Sequence, residues 1–199
     1  MLLYKDILLE SFDKEKILKQ KAVDVEIPLS NEDINNINLM NEYLMNGYDE
    51  DFEFKDDIRP GVGIAAPQIG VSKKYFCIAT YDEKGNFHNY CFVNPKIISH
   101  SEELTHLPSG EGCLSVDREV KGLIHRPRKI TVEFDNFDFE TGEVKHVRMR
   151  LKDYIAVVFQ HENDHLSGKL FFDHINKENP FYVPANSKPI HFDFEDEAE

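Results

Sequence analysis

Residues 152–166, KDYIAVVFQHENDHL, contain no glycine or proline, and Tyr154, Val157, Val158, His161 and His165 recur at the spacing of one helical face. The run predicts a helix that closes at Gly168. Side chains four apart on a helix project one turn above each other, so His161 and His165 can offer imidazole nitrogens to one cation. Glu162 stands about 100° further round, within reach of a water on such a cation. An ordinary amphipathic helix with two polar histidines is the plain alternative.

A catalytic divalent site takes three protein ligands and keeps one position open, so the third ligand decides the class. The pattern H-E-x-x-H-x-x-G-x-x-H is followed as far as Gly168, but its last histidine would fall at Phe171. His174, Asp173, His125 and His146 are nominal candidates, none in a stretch built to hold a ligand. Cys113 is in such a stretch, SGEGCLS, where Gly110 and Gly112 permit unusual backbone angles and a close approach. A merely exposed thiol in a turn is the alternative.

The rest of the chain reads as strands around that helix. KKYFCIAT, a turn at DEKGN and NYCFVNPKIIS predict a hairpin. ITVEF and VRMRL alternate about the turn ETGE and predict a second antiparallel pair. Ser30 before Asp33 resembles a capped start, and Ile34, Ile37, Met40 and Leu44 then predict a helix over 31–46. Residues 47–60, GYDEDFEFKDDIRP, read as an acidic surface insertion with solvated charges, and 180–199 as an extended acidic tail whose prolines disfavour a helix. These elements predict an α+β fold, with antiparallel or mixed sheets packed around the histidine-bearing helix.

With 199 residues, 41% of them hydrophobic, the chain fits one domain spanning 1–199. Its net charge of −14 speaks against a phosphate-binding surface, so no direct nucleic-acid binding is expected. No apolar run reaches the length of a membrane span, and charge interrupts the N-terminus at Lys5 and Asp6. A soluble cytoplasmic protein is expected. Cys77, Cys91 and Cys113 are too few and odd in number for a disulfide framework. The first two lie in apolar strand-like segments and read as small buried hydrophobes.

Three segments, GVGIAAPQ at 61–68, EGCLS at 111–115 and QHENDHLSG at 160–168, together resemble the motifs of the peptide deformylases, in the same order. The likeness spans about 60–175 and is weaker before it; the insertion at 47–60 and the IISHSEELTHLPS stretch resemble the longer-inserted branch of that family. The resemblance implies that Cys113, His161 and His165 bind one metal ion, that Glu162 is the general base and acid, and that Gln68 and the N–H of Leu114 form the oxyanion hole. It implies Fe²⁺ as cofactor, with Zn²⁺, Ni²⁺ or Co²⁺ able to substitute, and nascent chains beginning with N-formylmethionine as substrate. Transient ribosome association is an expected accompaniment.

In that reading Gly61 and Gly63 keep the backbone open to an extended substrate. Val62, Gly63, Gly112, Leu114, Tyr154, Val157 and Val158 then lie where they contact the substrate, although core packing is an ordinary role for the aliphatics. A silent metal- or formyl-peptide-binding protein would not require Glu162 and Gln68 together. A metallopeptidase of the longer histidine pattern is disfavoured by Phe171. An amidohydrolase for another small acyl group stays open.

Overall fold

Alternation along two hairpins builds the main sheet of this computed structural model, which describes residues 1–14 and 16–193. β2 (Tyr75–Tyr81) and β3 (Phe87–His100) pair antiparallel, with Phe76 opposite Phe92 and Cys77 opposite Cys91. β6 (Lys129–Phe137) joins β3 on one side and β7 (Val144–Lys152) on the other. The short β1 (Gly63–Ala65) pairs with β2 alone, so the order is β1-β2-β3-β6-β7 and β1 is an edge strand. Both predicted hairpins are present.

Successive side chains of a strand face opposite ways, so β2 and β3 feed two cores at once. Tyr75, Cys77, Ala79, Cys91 and Val93 face the first, which α1 (Asn31–Asn46) covers with Ile37, Met40, Tyr43 and Leu44. Cys77 and Cys91 are fully buried, as their apolar surroundings predict. α1 starts where expected. The Ser30 hydroxyl accepts the Asp33 N–H at 3.1 Å and donates to the Asp33 carboxylate at 2.6 Å, and Lys73 Nζ reaches the same carboxylate at 2.7 Å.

Phe76, Ile78, Phe92 and Phe134 face the second core, which α2 (Asp153–Leu166) covers. The Phe159 ring lies 5.1 Å from that of Phe76 and 4.9 Å from that of Phe92, both edge-on, the arrangement aromatic pairs favour. Ser167 caps α2, and Gly168 takes up a left-handed φ of +69° one residue beyond. A side chain at 168 would strike the Lys19 carbonyl, so glycine is required on both counts.

A second sheet closes the far side of α2. β4 (Leu104–His106) pairs antiparallel with β5 (Arg126–Pro127) and parallel with β8 (Ser187–Pro189). α2 touches both sheets and is the central helix of the α+β arrangement. β8 lies within the stretch read as an extended tail. Prolines there bar a helix but not an edge strand, and Pro189 ends β8. The remainder of that tail, 194–199, lies outside the described residues. Residues 47–60 form turns and one short 3-10 stretch at Lys55–Asp57, and they are anchored: Ile58 is buried, the Tyr48 hydroxyl donates to Ala79 O, and Lys55 Nζ to the carbonyls of Gly47 and Asp49.

Candidate metal centre

α2 and the loop between β4 and β5 meet at three soft donors. His161 and His165 stand one turn apart with ring centroids 5.5 Å from each other. Cys113 approaches from the loop, its Sγ 3.3 Å from His165 Nε2. One ligand atom from each of the three lies within 4.8 Å of the others, and all three residues are buried. Cys113 is therefore not an exposed turn thiol. Of the two glycines beside it, only Gly110 uses a left-handed φ, +78°; Gly112 has ordinary angles and open space where a side chain would be.

The other histidines and acids lie elsewhere. Phe171, at the position of the missing histidine, stacks over His161 at 6.0 Å and 20°. Asp173 accepts the Leu170 N–H, His174 pairs with Asp164, His125 with Ser187 and His146 with Asp135.

The orientation of His161 comes from Glu111, whose carboxylate accepts the Nδ1 proton at 2.8 Å and leaves Nε2 free to face Cys113 and His165. Arg126 holds Glu111 with two hydrogen bonds, 2.6 and 2.9 Å, and Asp164 with a third, 2.8 Å. Burial pushes the Glu111 carboxyl up, but Arg126 and His161 outweigh it and hold the pKa at about 2. Sequence reasoning passed over Glu111 and Arg126. Glu111 opens the EGCLS segment, yet nothing in a single sequence says that a helix residue fifty positions on is its partner.

Electrostatics suit a divalent ion. Burial raises the Cys113 thiol, but His165 and His161 together bring it down to about 5, so the ligating thiolate is the favoured form. Burial acts first on Glu162 and, against the two histidines, lifts it to about 7. Glu162 Oε2 is buried with no hydrogen-bond partner among the described residues. A buried carboxylate left unpaired is costly unless a cation or a proton accompanies it. The donor set and the orphaned oxygen therefore fit a bound metal with an acid–base group beside it.

The carboxyl presses against β1. A Cβ on Gly63 would come within 2.5 Å of Glu162 Oε1, so glycine there makes room for Glu162. Gln68 is aimed by its own backbone: Oε1 accepts the Ala65 N–H at 2.8 Å, which turns Nε2 toward Ser115 Oγ at 3.1 Å and Cys113 Sγ at 3.6 Å. The Leu114 N–H has no acceptor among the described residues. A cavity of about 250 Å³ opens beside these groups. Val62, Gly63, Gly112, Tyr154, Val157 and Val158 all line it, as do Gln68 and Leu114. Arg59, Pro60 and Leu107 line it too and were missed, the first two because the acidic insertion read as mere surface.

Residues 10–181 match the family model for polypeptide deformylase. The chain is 48% identical over 190 residues to peptide deformylase 2 of Bacillus anthracis, covering 96% of this chain and 99% of that protein. It is 45% identical over 190 residues to the peptide deformylase of Oceanobacillus iheyensis, with 96% and 100% covered. Among solved structures, the Acinetobacter baumannii class I type b peptide deformylase bound to Met-Ala-Ser superposes with a TM-score of 0.66 at 27% identity, over 85% of this chain and 96% of that one.

Proposed function

The chain belongs to the polypeptide deformylase family, and on that premise we propose that Cys113, His161 and His165 hold its metal while Glu162, Gln68 and the Leu114 N–H carry out the reaction. It is a hydrolase that removes the formyl group from the N-terminal formylmethionine of newly made peptides and releases formate. The observation that carries the residue assignment is Glu162 Oε2, a buried carboxylate oxygen without a partner, set against the edge strand and beside the three donors.

The ion we assign is Fe²⁺, one per chain, and Zn²⁺, Ni²⁺ or Co²⁺ can substitute, because two imidazoles and a thiolate suit each of them. When bound, such a cation lowers the pKa of water and draws charge from a carbonyl. The chain supplies the rest. Glu162 Oε2 takes the proton of the attacking water and delivers it to the departing amine nitrogen, a double duty that a pKa near neutrality serves. Gln68 Nε2 and the Leu114 N–H donate to the formyl oxygen as negative charge develops on it. The peptide backbone adds to the open side of β1, and the methionine side chain enters the cavity along Val157, Val158 and Tyr154. A related enzyme has been solved bound to Met-Ala-Ser, a peptide that begins with methionine.

We further assign 1–199 to one catalytic domain, a reading supported by a family match over residues 10–181, and assign it to the longer-inserted branch from the acidic stretch at 47–60. No helix among the described residues is long and apolar enough to cross a membrane. Action in the cytoplasm, in passing contact with ribosomes and without nucleic-acid binding, is part of the same proposal, since the substrate arises there and the chain carries a net charge of −14. The test is release of the free N-terminal amine of Met-Ala-Ser by the anaerobically iron-loaded chain, given formyl-Met-Ala-Ser and, separately, acetyl-Met-Ala-Ser. Release confined to the formyl peptide is expected. No release from either peptide would leave only a metal site.

A further inference from the structure

Phe192 follows β8 and does not line the cavity, but it touches a residue that does. Its ring meets Tyr154 edge-on, with centroids 5.0 Å apart and planes at 76°. The segment is pinned on both sides of this contact. Before it, the buried Ile190 donates its N–H to His106 O at 3.0 Å, which continues the pairing of β8 with β4. After it, the Asp193 N–H donates to Glu83 O at 3.0 Å, and the carboxylate of the same Glu83 accepts the Tyr154 N–H at 3.4 Å. Upstream, Ser187 Oγ lies between His106 Nδ1 at 3.0 Å and His125 Nδ1 at 2.7 Å, and His125 Nε2 donates to Tyr182 O at 2.8 Å. Phe192 is thus held between the backbone bonds of Ile190 and Asp193.

Tyr154 needs such a brace. It stands in the first turn of α2 and is only half-buried, whereas Val157 and Val158 further along are buried against the core. A binding wall is only as well placed as the contacts behind it. We propose that Phe192 is a positioning residue for substrate selection: it braces Tyr154 from outside the cavity and so fixes the wall against which the first side chain of the peptide packs. The proposal rests on the deformylase reading above and adds to it a role for the chain's C-terminal segment.

The experiment uses the full metal-loaded chain and two substrates, formyl-Met-Ala-Ser and formyl-Ala-Ala-Ser, whose shorter first side chain does not reach the braced wall. Phe192→Ala is expected to raise KM for the methionine peptide about fivefold with kcat within about twofold, because an edge-to-face contact orients the wall without touching the reacting atoms. KM for the alanine peptide stays the same, and Phe192→Tyr, which keeps the ring, restores the parent ratio of the two KM values. A purely structural role would lower the melting temperature and leave that ratio alone. An unchanged ratio in Phe192→Ala, or failure of Phe192→Tyr to restore it, overturns the proposal while parent activity on formyl-Met-Ala-Ser upholds the deformylase reading. Absence of parent activity on both peptides overturns the two together.

Discussion

α1 and α2 flank the same sheet, one on each face, and have nearly the same length, 16 and 14 residues. Their burials differ in kind. α1 buries Ile37, Met40, Tyr43 and Leu44 and, of its polar groups, Asp33, which is held by its own cap and by Lys73. α2 buries Gln160, Glu162 and His165 as well as its aliphatics, and Glu162 has an oxygen that nothing described in the protein satisfies. A helix gains stability by burying apolar surface and loses it by burying unpaired charge. α1 therefore serves stability, and α2 accepts a stability cost at Glu162, the residue proposed as general base and acid.

The sharpest way to break that contrast is Glu162→Gln. Turnover is expected to fall roughly 10²–10⁴-fold, while the melting temperature holds or rises because the amide has no charge to bury. A large drop in melting temperature would mean that α2 is built for stability after all. Met40→Ala should do the opposite, costing ~2–5 kcal/mol in denaturant unfolding while kcat/KM below the melt is kept. Glu111→Gln sharpens the comparison, since it removes the anion behind His161: metal affinity by chelator competition should weaken about 10–100-fold. Ser30→Ala costs α1 its cap and about 1 kcal/mol, with metal affinity unchanged.

The smallest effect is in acid. Burial raises the Asp33 carboxyl, but Lys73 and Ser30 outweigh it, so its folded pKa lies below the ordinary carboxylate value. Its contribution to stability is therefore complete above the unfolded pKa, about 3.9, and is lost as pH falls through the lower folded value. Asp33→Asn should flatten that part of the unfolding curve measured against pH.

How much of this was legible follows from how far each signal reaches along the chain. Ser30 with Asp33, the alternation in both hairpins and the face from Tyr154 to His165 are local, and the elements lie where those patterns put them. The Cys113, His161 and His165 cluster was legible because two short motifs, EGCLS and QHENDHLSG, carry all three donors. The pairing of β8 with β4 depends on residues more than eighty apart, and Pro184 and Pro189 suggested only what could not form there. Glu111, Arg126 and Asp164 drew no reading of their own, because burial of an ion network becomes visible only after the loop has folded onto α2. Gly63 was read as an opening for substrate, while its closest neighbour is the Glu162 carboxyl.

Among the described residues β1 keeps one side without a strand partner. A bare edge of this kind is a template for any extended chain, including a second copy of this protein, and long apolar edges are where folded proteins begin to aggregate. Here the hazard is limited by length and composition: three residues, preceded by Pro60 and followed by Pro67, neither able to continue a ladder with an N–H. Gly61 and Gly63 add no apolar side chain that would stabilise a lasting cross-chain pair. If a peptide pairs there as proposed, three residues suffice to hold it, while an edge so short and so flanked gives a second copy little to build on.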